Sequence, residues 1–324
     1  MHLILDTRFL DDFYLEFGFE KENRAGYNKL YELFSRFTEL KITINLNDKE
    51  ELEKYKETNP IIEKLQEYNP QFNFILNLST VIDNYALNQP ALAFVKDDND
   101  WCEEKTKANI IVSNITTFEE NMIELLEVKR EYDLSVNDEN DEDYLKDWGE
   151  LSYLSNYTEE IMITDNYILK DQTHAPIREN LVKFINSISG LNQSPKKLKL
   201  FVNFFKGKLE EENIIPKLRL LNTAFANLKI KVEIINIDEF RWPSKEATIH
   251  DRFCYSNFYL IEVGSGFSLY NRTGRNLTDS TFRINSLIER KAYNRWKKRT
   301  TLINRYYDKI TDPKVIGKKM YCYS

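Results

Sequence analysis

The chain has 324 residues and contains little cysteine, glycine or proline, with three, nine and eight of these residues respectively. The cysteines, Cys102, Cys254 and Cys322, lie far apart and form no C-x-x-C pair. This pattern excludes a disulfide framework and a cysteine-based structural zinc site, and it is typical of a protein in the reducing cytoplasm. The scarcity of glycine and proline excludes a fibrous or loop-dominated protein.

Long apolar runs and an excess of positive charge are also missing. No stretch approaches about 18 consecutive apolar residues, which excludes a transmembrane helix. The first residues, MHLILDTRFLDDFY, carry acids where a signal peptide has a basic region. The formal net charge is −7, whereas proteins that coat nucleic acid nonspecifically are usually basic. Any surface that binds nucleic acid must therefore be local.

The sequence does contain enough apolar material for a large core, because 42% of its residues are hydrophobic and 13% are aromatic. Short apolar segments of strand type alternate with amphipathic helical segments on both sides of an acidic stretch. This alternation is typical of α/β layers. We therefore predict the α/β fold class for both halves of a chain that is long enough for two domains.

The acidic stretch at residues 131–147 holds eight acids against the single basic residue Lys146. Like charges at this density repel one another and resist packing, which indicates a solvated linker; a binding role for the run is the alternative. The predicted organisation is an N-terminal α/β domain of unknown role at residues 1–130, an acidic linker at 131–150 and a second α/β domain with a C-terminal basic helix at 151–324.

The opening segment LDTRFLDD carries Asp6 at the end of the first predicted strand. It resembles the start of PIN-type nucleases, and this resemblance implies that Asp6 binds a metal ion, with Asp83 and Asp97 as further candidates. A two-metal site needs several converging ligands, whereas a single early aspartate also suits a capped strand end. We favour the capped strand end and predict no metal site and no cofactor.

The segment from Ile249 to Tyr270 carries the groups with the clearest chemistry. His250 and Arg252 lie two positions apart in a predicted strand, so their side chains point to the same side. A guanidinium beside an imidazole makes an anion site with a potential nucleophile, because the arginine fork matches a phosphate bidentately. The alternative is a buried ion pair of Arg252 with Asp251 or Asp165 that only fixes the fold.

The spacing of His250, Arg252, Asn257, Gly264 and Ser265 resembles the phospholipase-D superfamily signature HxKxxxxDxxxxxxGSxN. The resemblance implies that the histidine attacks a phosphate, which the basic residue and the Gly-Ser pair bind. The backbone amides of the small residues can also approach an oxyanion without obstruction. The candidate catalytic residues are His250, Arg252, Asn257 and Ser265, and the candidate phosphate-binding residues are Arg252, Gly264, Ser265 and Gly266.

Three positions depart from that signature, since Arg252 replaces a lysine, Asn257 an aspartate and Phe267 the final asparagine. Arg252 can still bind a phosphate. Asn257 lacks the negative charge that would stabilise an imidazolium, and Phe267 lacks a polar group. These departures favour binding over catalysis.

A longer resemblance, over about residues 155–275, is to the C-terminal phospholipase-D-like domain of MIT-domain-containing proteins. It rests on the pattern HDRxxxxNxxxIxxGxGxxxY and on the element Ile163-Thr-Asp-Asn-Tyr-Ile168, which His174 and Asn180 follow. The resemblance implies an α-β-α sandwich that dimerises and binds membrane phosphoinositide, with no known hydrolysis. The supporting residues would be Asp165, Tyr167, Asn180 and Asp251. No three-helix MIT module precedes residue 150, so ESCRT recruitment is not implied.

The C-terminal region from about Phe282 to Tyr307 is predicted to form a basic helix. Residues 283–309 contain nine Lys/Arg and two acids, interleaved with aromatic residues. Such a pattern suits contacts with phosphate backbones and bases, or with an anionic membrane surface; the alternative is a solvated helix that covers the domain. The candidate contact residues are Arg290, Lys291, Arg295, Trp296, Lys297, Lys298 and Arg299.

Taken together, these features predict a phospholipase-D-like phosphate-binding module that recognises nucleic acid or another phosphorylated ligand. The resemblance suggests a prokaryotic defence or DNA-processing setting. One alternative is a metal-independent phosphodiesterase or nuclease with His250 as nucleophile; another is a scaffold that binds anionic lipid or docks a protein. Because one motif supplies one histidine where the chemistry uses two, we expect a homodimer that pairs His250 across a two-fold axis.

Overall fold

In a computed structural model, the protein divides into two compact units. Unit 1 comprises Met1–Glu127 with Ile288–Arg290, and unit 2 comprises Val128–Leu287 with Lys291–Ser324. The structure describes residues 1–17, 24–85, 89–133, 144–169, 177–190, 196–202, 213–236, 252–264, 266–270, 281–311 and 320–322. Both units combine helices with a sheet, and the predicted α/β fold class is therefore confirmed.

Unit 1 is built on a parallel sheet of five strands in the order β3-β2-β1-β4-β5. Its strands are β1 (His2–Leu5), β2 (Lys41–Ile44), β3 (Phe72–Phe74), β4 (Ala91–Phe94) and β5 (Ile110–Ser113). Its helices are α1 (Thr7–Phe17), α2 (Ala25–Arg36), α3 (Lys49–Lys56), α4 (Pro60–Tyr68), α5 (Leu78–Asp83), α6 (Asn99–Lys105) and α7 (Phe118–Glu127). The strands β1, β4 and β5 are buried along their whole length, as expected for parallel strands that helices cover on both faces.

Asp6 links β1 to α1 by capping contacts. Its Oδ1 accepts hydrogen bonds from the backbone N–H of Arg8 at 2.9 Å and from Nδ2 of Asn45 at 3.1 Å. Asp83 ends α5 and pairs with Lys105 at 3.1 Å. The contacts of Asp6 are those of a capped strand end, the interpretation that the sequence favoured over a metal ligand, whereas Asp83 forms an ion pair at a helix end.

The buried histidine of β1 makes unit 1 sensitive to acid. His2 is 2% exposed, and its Nε2 lies 2.8 Å from Oγ1 of Thr43. Burial, helped by the charges of Lys41 and the N-terminal amino group, lowers the pKa of His2 from 6.5 to about 3. Below pH 6.5 the unfolded chain therefore takes up a proton that the folded chain rejects, and stability falls as the pH falls towards 3.

We expect acidification from pH 7 to pH 5 to lower the free energy of unfolding by about 2 kcal/mol through this histidine. The measurement is denaturant unfolding of the wild type and of His2→Gln at both pH values. The glutamine amide can still bond Thr43 but cannot ionise, so the variant should lose less stability on acidification. Equal losses in the two proteins would contradict the assignment.

Unit 2 is built on a mixed sheet of eight strands in the order β13-β9-β8-β7-β10-β11-β12-β6. Its strands are β6 (Arg130–Asp133), β7 (Glu160–Thr164), β8 (Lys196–Val202), β9 (Ile230–Asn236), β10 (Arg252–Tyr255), β11 (Tyr259–Val263), β12 (Thr281–Ser286) and β13 (Met320–Cys322). Its helical segments are a 3-10 helix (Trp148–Tyr157), a π-helical turn (Ile177–Val182), α8 (Lys183–Ser189), α9 (Ile214–Ala224), a short 3-10 turn (Ala226–Leu228) and α10 (Arg290–Thr311). The strands β7, β8 and β9 are parallel, and the other pairings are antiparallel.

The helices of unit 2 lie on both faces of this sheet. One face carries alternate strand residues such as Ile163, Cys254 and Ile261, which share a core with the 3-10 helix, α8 and α9. The opposite face carries Phe253, and α10 packs on it with the guanidinium carbon of Arg299 3.3 Å from the Phe253 ring centroid. The layers are therefore helix, sheet and helix, as the predicted sandwich requires.

The predicted acidic linker at 131–150 is shorter in the structure, because both of its ends are folded. Residues 130–133 form the edge strand β6, where Tyr132 lies 6.2 Å from Phe282 between ring centroids. At the other end Leu145 and Trp148 are buried in the core of unit 2. The apolar residues at each end pack while the acids of β6 stay at a sheet edge, where charges are tolerated. Residues 134–143 lie outside the described residues.

The C-terminal helix begins later than predicted, because residues 281–286 form β12 and α10 starts at Arg290. Its buried side carries Ala292, Tyr293, Trp296, Thr300 and Ile303. Trp296, which the sequence suggested as a nucleic-acid contact, is turned inwards and stacks on Tyr293 at 5.7 Å. Among the described residues, no helix is both long and apolar enough to cross a membrane.

Candidate phosphate-binding site

The strand order of unit 2 reverses next to β7. The chain runs from β7 through β8 to β9 in one direction and then returns to the other side of β7 with β10. Ligands of open α/β sheets bind at such a reversal, beyond the carboxyl ends of the parallel strands. Asp165 directly follows β7. Because Phe253 of β10 is paired with Thr164 of β7, Arg252 at the start of β10 lies at this same end of the sheet. Gly264 follows β11 there, because Arg252 is paired with Val263.

The guanidinium of Arg252 is held by three neighbours. Its Nη1 donates to the carbonyl oxygen of Gly264 at 2.8 Å, and its Nε lies 3.9 Å from Oδ1 of Asp165. The guanidinium carbon lies 5.4 Å from the ring centroid of Tyr167, which is itself 40% exposed. The side chain of Arg252 remains 23% exposed. A cation that is fixed in place and still open to solvent is suited to bind an anion.

Asp165 is held mainly by the backbone. It is 2% exposed, and its two carboxylate oxygens accept hydrogen bonds from the N–H groups of Tyr167 at 2.8 Å and Phe267 at 3.1 Å. Burial raises the pKa of Asp165, while those two N–H groups and the charge of Arg252 act to lower it. Asp165 therefore joins the loop after β7 to the loop after β11, and its pairing with Arg252 is the longer contact.

Gly266 completes the packing around this pair. Its φ of +99° lies in a region that other residues rarely adopt. A Cβ atom there would lie 2.8 Å from Oδ2 of Asp165 and 2.9 Å from Cδ of Arg252. The neighbouring Phe267 points into the core, where its ring centroid is 5.2 Å from that of Phe184. Phe267, one of the three positions that depart from the phospholipase-D signature, is thus a core position in this chain.

The backbone N–H of Gly264 donates a hydrogen bond within the protein, contrary to the expectation that it approaches a phosphate. It donates to the carbonyl oxygen of Thr281 at 3.3 Å, while the Gly264 carbonyl accepts from Arg252. Gly264 therefore orients the arginine through its backbone. Its role at the site is indirect.

Two of the predicted site residues, Asn257 and Asn180, form hydrogen bonds with backbone groups away from Arg252. Asn257 lies in the turn that joins β10 to β11, at the opposite end of β10 from Arg252, and its Oδ1 accepts from the N–H groups of Glu159 at 2.9 Å and Glu160 at 3.4 Å. Because β10 ends at this hairpin turn, a residue five positions after Arg252 lies at the opposite end of the strands from Arg252. The catalytic role predicted for Asn257 is therefore not supported. Asn180 is buried and exchanges hydrogen bonds with the backbone of Tyr270 at 2.8 and 2.7 Å, and its supporting role at the site stays a prediction.

The predicted nucleophile and three further candidates fall in parts of the chain without a described structure. These residues are His250, Asp251, Ser265 and His174. The roles that the resemblance implies for them stay predictions.

Lys217 is a neighbour of this site that the sequence did not reveal. It lies on α9, is 2% exposed, and its Nζ donates to the carbonyl oxygen of Leu169, four residues after Asp165. The periodic pattern of α9 contained a signal, because Lys217 lies three positions after Ile214 and next to Leu218 on the apolar face. A lysine on such a face has to bury its charged end against polar atoms.

Comparison with known proteins adds little to this description. No family model and no curated protein matches the sequence. Among solved structures, the chain is similar to phosphatidylserine synthase from Haemophilus influenzae Rd KW20, with a TM-score of 0.32 and 12% sequence identity. The similarity covers 55% of this chain and 38% of the synthase chain.

Proposed function

We propose that unit 2 is a phospholipase-D-like phosphate-binding module, in which Arg252 binds a phosphoryl group of nucleic acid or of another phosphorylated ligand. The observation that carries this proposal is the environment of the Arg252 guanidinium, which lies where the strand order of unit 2 reverses. Gly264, Asp165 and Tyr167 fix one side of it. Within the described part of the chain, Nη2 has no hydrogen-bond partner.

The chemistry of the arginine fork supports a phosphate ligand. A phosphate oxygen can accept from Nη2 while the planar guanidinium keeps its orientation against the Tyr167 ring, and charge-assisted bonds of this kind are among the strongest in proteins. Asp165 approaches the guanidinium only from the Nε side, at 3.9 Å, and its oxygens accept their shorter bonds from the backbone of Tyr167 and Phe267. The spacing that resembles the phospholipase-D signature supports the same ligand class.

Metal-independent phosphodiester hydrolysis is the second candidate function, with His250 as nucleophile. One observation favours it: at two of the three departures from the signature, Asn257 and Phe267, the side chain points away from Arg252. Asn257 bonds at the far end of β10, and Phe267 is in the core, so neither alters the charge next to the guanidinium. The predicted homodimer belongs to this candidate, since it would bring two copies of His250 together.

We expect Arg252→Ala to weaken binding of a labelled short single-stranded DNA about tenfold or more, because one charge-assisted contact contributes about 1.5–3 kcal/mol. Arg252→Lys should retain part of the affinity, since it keeps the charge and loses the fork. The measurement is fluorescence anisotropy in EDTA, with inorganic phosphate as competitor. Cleavage is followed in the same samples, beside His250→Ala.

The matched control is Arg283→Ala, which removes an exposed arginine of the same unit that is paired with Glu131. This variant should bind like the wild type. Equal affinities of Arg252→Ala and Arg283→Ala would refute the proposed site. Cleavage in EDTA that His250→Ala abolishes would establish the second candidate, and binding without cleavage would leave the module as a recognition domain.

A further inference from the structure

Five of the cations of α10 fall into two groups, two inner and three outer, that the sequence did not separate. Residues 290–307 contain seven Lys/Arg and no Asp or Glu. The helix buries one side against the sheet of unit 2 and exposes the other. A basic residue on the inner side has a structural partner available, whereas one on the outer side faces solvent.

The inner cations attach α10 to the sheet. Nη1 of Arg295 lies 2.8 Å from Oε2 of Glu262, and Nη1 of Arg299 lies 3.3 Å from Oε1 of the same carboxylate. Arg295 also donates to Oδ1 of Asn285 at 3.3 Å, and Arg299 stacks on Phe253. These two arginines were predicted as ligand contacts, and the structure instead assigns them to packing within unit 2. The reason is that Glu262 and Phe253 lie on the sheet face that α10 covers.

The outer cations form a regular stripe. Lys291, Lys298 and Arg305 are exposed and lie seven residues apart, which is two helical turns and about 10.5 Å along the axis. Among the described residues, none of the three forms an ion pair. The positions between them on the same side are Asn294 and Thr301, whose side chains can donate hydrogen bonds to phosphate oxygens.

We propose that this outer stripe of α10 binds the sugar-phosphate backbone of a nucleic acid. The inference deepens the proposed function and rests on it, because it names the polymer whose phosphate Arg252 would bind. A row of cations at regular spacing suits a chain of regularly spaced phosphates, and affinity then comes from neutralising several of them at once. In a protein with a net charge of −7, such a stripe also orients the polyanion.

The same helix is poorly suited to a membrane surface. A helix that lies in a membrane interface buries an apolar face in the lipid. The apolar residues of α10, among them Tyr293, Trp296 and Ile303, are instead buried within the protein. The outer side presents lysine, arginine, asparagine and threonine. Charge complementarity to a polyanionic polymer is therefore the property that this surface offers.

The test compares a stripe variant, Lys291→Gln/Lys298→Gln/Arg305→Gln, with the control variant Lys183→Gln/Lys197→Gln/Lys231→Gln. The control removes the same charge from exposed positions elsewhere in unit 2. Affinity for labelled single-stranded DNA is measured over a series of salt concentrations. We expect the stripe variant to bind about tenfold or more weakly and to lower the slope of log Kd against log salt by about 2, while the control changes both less.

Competition by inorganic phosphate separates failure of this inference from failure of the proposed function. The stripe variant should keep the phosphate competition that Arg252→Ala loses. A stripe variant with unchanged affinity and salt slope would overturn the role of α10 and leave the Arg252 site intact. Binding to phosphatidylserine vesicles that the stripe variant loses, without any binding of DNA, would overturn the choice of nucleic acid over membrane.

Discussion

Replacing Asp165 by alanine is expected to lower the free energy of unfolding by about 3–5 kcal/mol. The substitution would leave two buried N–H groups, those of Tyr167 and Phe267, without their acceptor. It would also remove the carboxylate next to Arg252, so that a partly buried guanidinium loses its counter-charge. Denaturant unfolding, followed by circular dichroism, measures the effect.

Two companion variants give this prediction its control. Asp165→Asn keeps one acceptor oxygen and should cost about half as much, because only one of the two N–H groups is then left unpaired. Asp147→Ala removes an aspartate that caps the 3-10 helix through the N–H of Gly149 and should cost about 1 kcal/mol. If Asp165→Ala were no more destabilising than Asp147→Ala, Asp165 would not join the two loops as the geometry indicates.

The strands around the site could be predicted from the sequence because their patterns are local. Residues 252–255 form β10 in the segment where a strand was predicted, and residues 259–263 form β11. The end of the sheet that carries Arg252 and Gly264 follows from these two strands. The position of Asn257 could not be derived in the same way. A signature gives the spacing along the chain, whereas the hairpin turn decides which edge of the sheet a residue reaches.

The C-terminal helix shows a second limit of prediction from the sequence. Its composition predicted a basic helix, but the separation of Arg295 and Arg299 from Lys291, Lys298 and Arg305 depends on Glu262, a residue on a strand far away in the sequence. The prediction of a solvated linker was wrong for residues 131–133 for a related reason. Charge density argued against packing, yet Tyr132 and the pairing of β6 with β12 are sufficient to hold an edge strand.

The parts of the candidate site depend on one another. Asp165 fixes two loops, Gly264 and Tyr167 orient Arg252, and Gly266 leaves the space in which the carboxylate and the arginine meet. An arginine that is oriented before its ligand arrives loses less conformational entropy on binding. A change that displaces Arg252 without removing its charge should therefore reduce affinity by itself.

Gly266→Ala makes that change, and we expect it to reduce both stability and phosphate binding. At a φ of +99° the alanine backbone is strained, by about 1–2 kcal/mol or more. Its Cβ would also lie 2.8 Å from Oδ2 of Asp165 and 2.9 Å from Cδ of Arg252. Asp165 is held by two backbone N–H groups, so the flexible arginine side chain has to move.

Gly190→Ala separates the effect on stability from the effect on phosphate binding. Gly190 ends α8 with a φ of +58°, and an added Cβ would lie 2.6 Å from Cβ of Ser155, away from Arg252. Its substitution should therefore also destabilise unit 2 but leave DNA affinity and phosphate competition unchanged at a temperature where both variants are folded. Because the two glycines share backbone strain and close packing, a loss of binding in Gly266→Ala alone would identify the displaced guanidinium as its cause. Equal affinities in both variants would mean that the orientation of Arg252 does not control ligand binding.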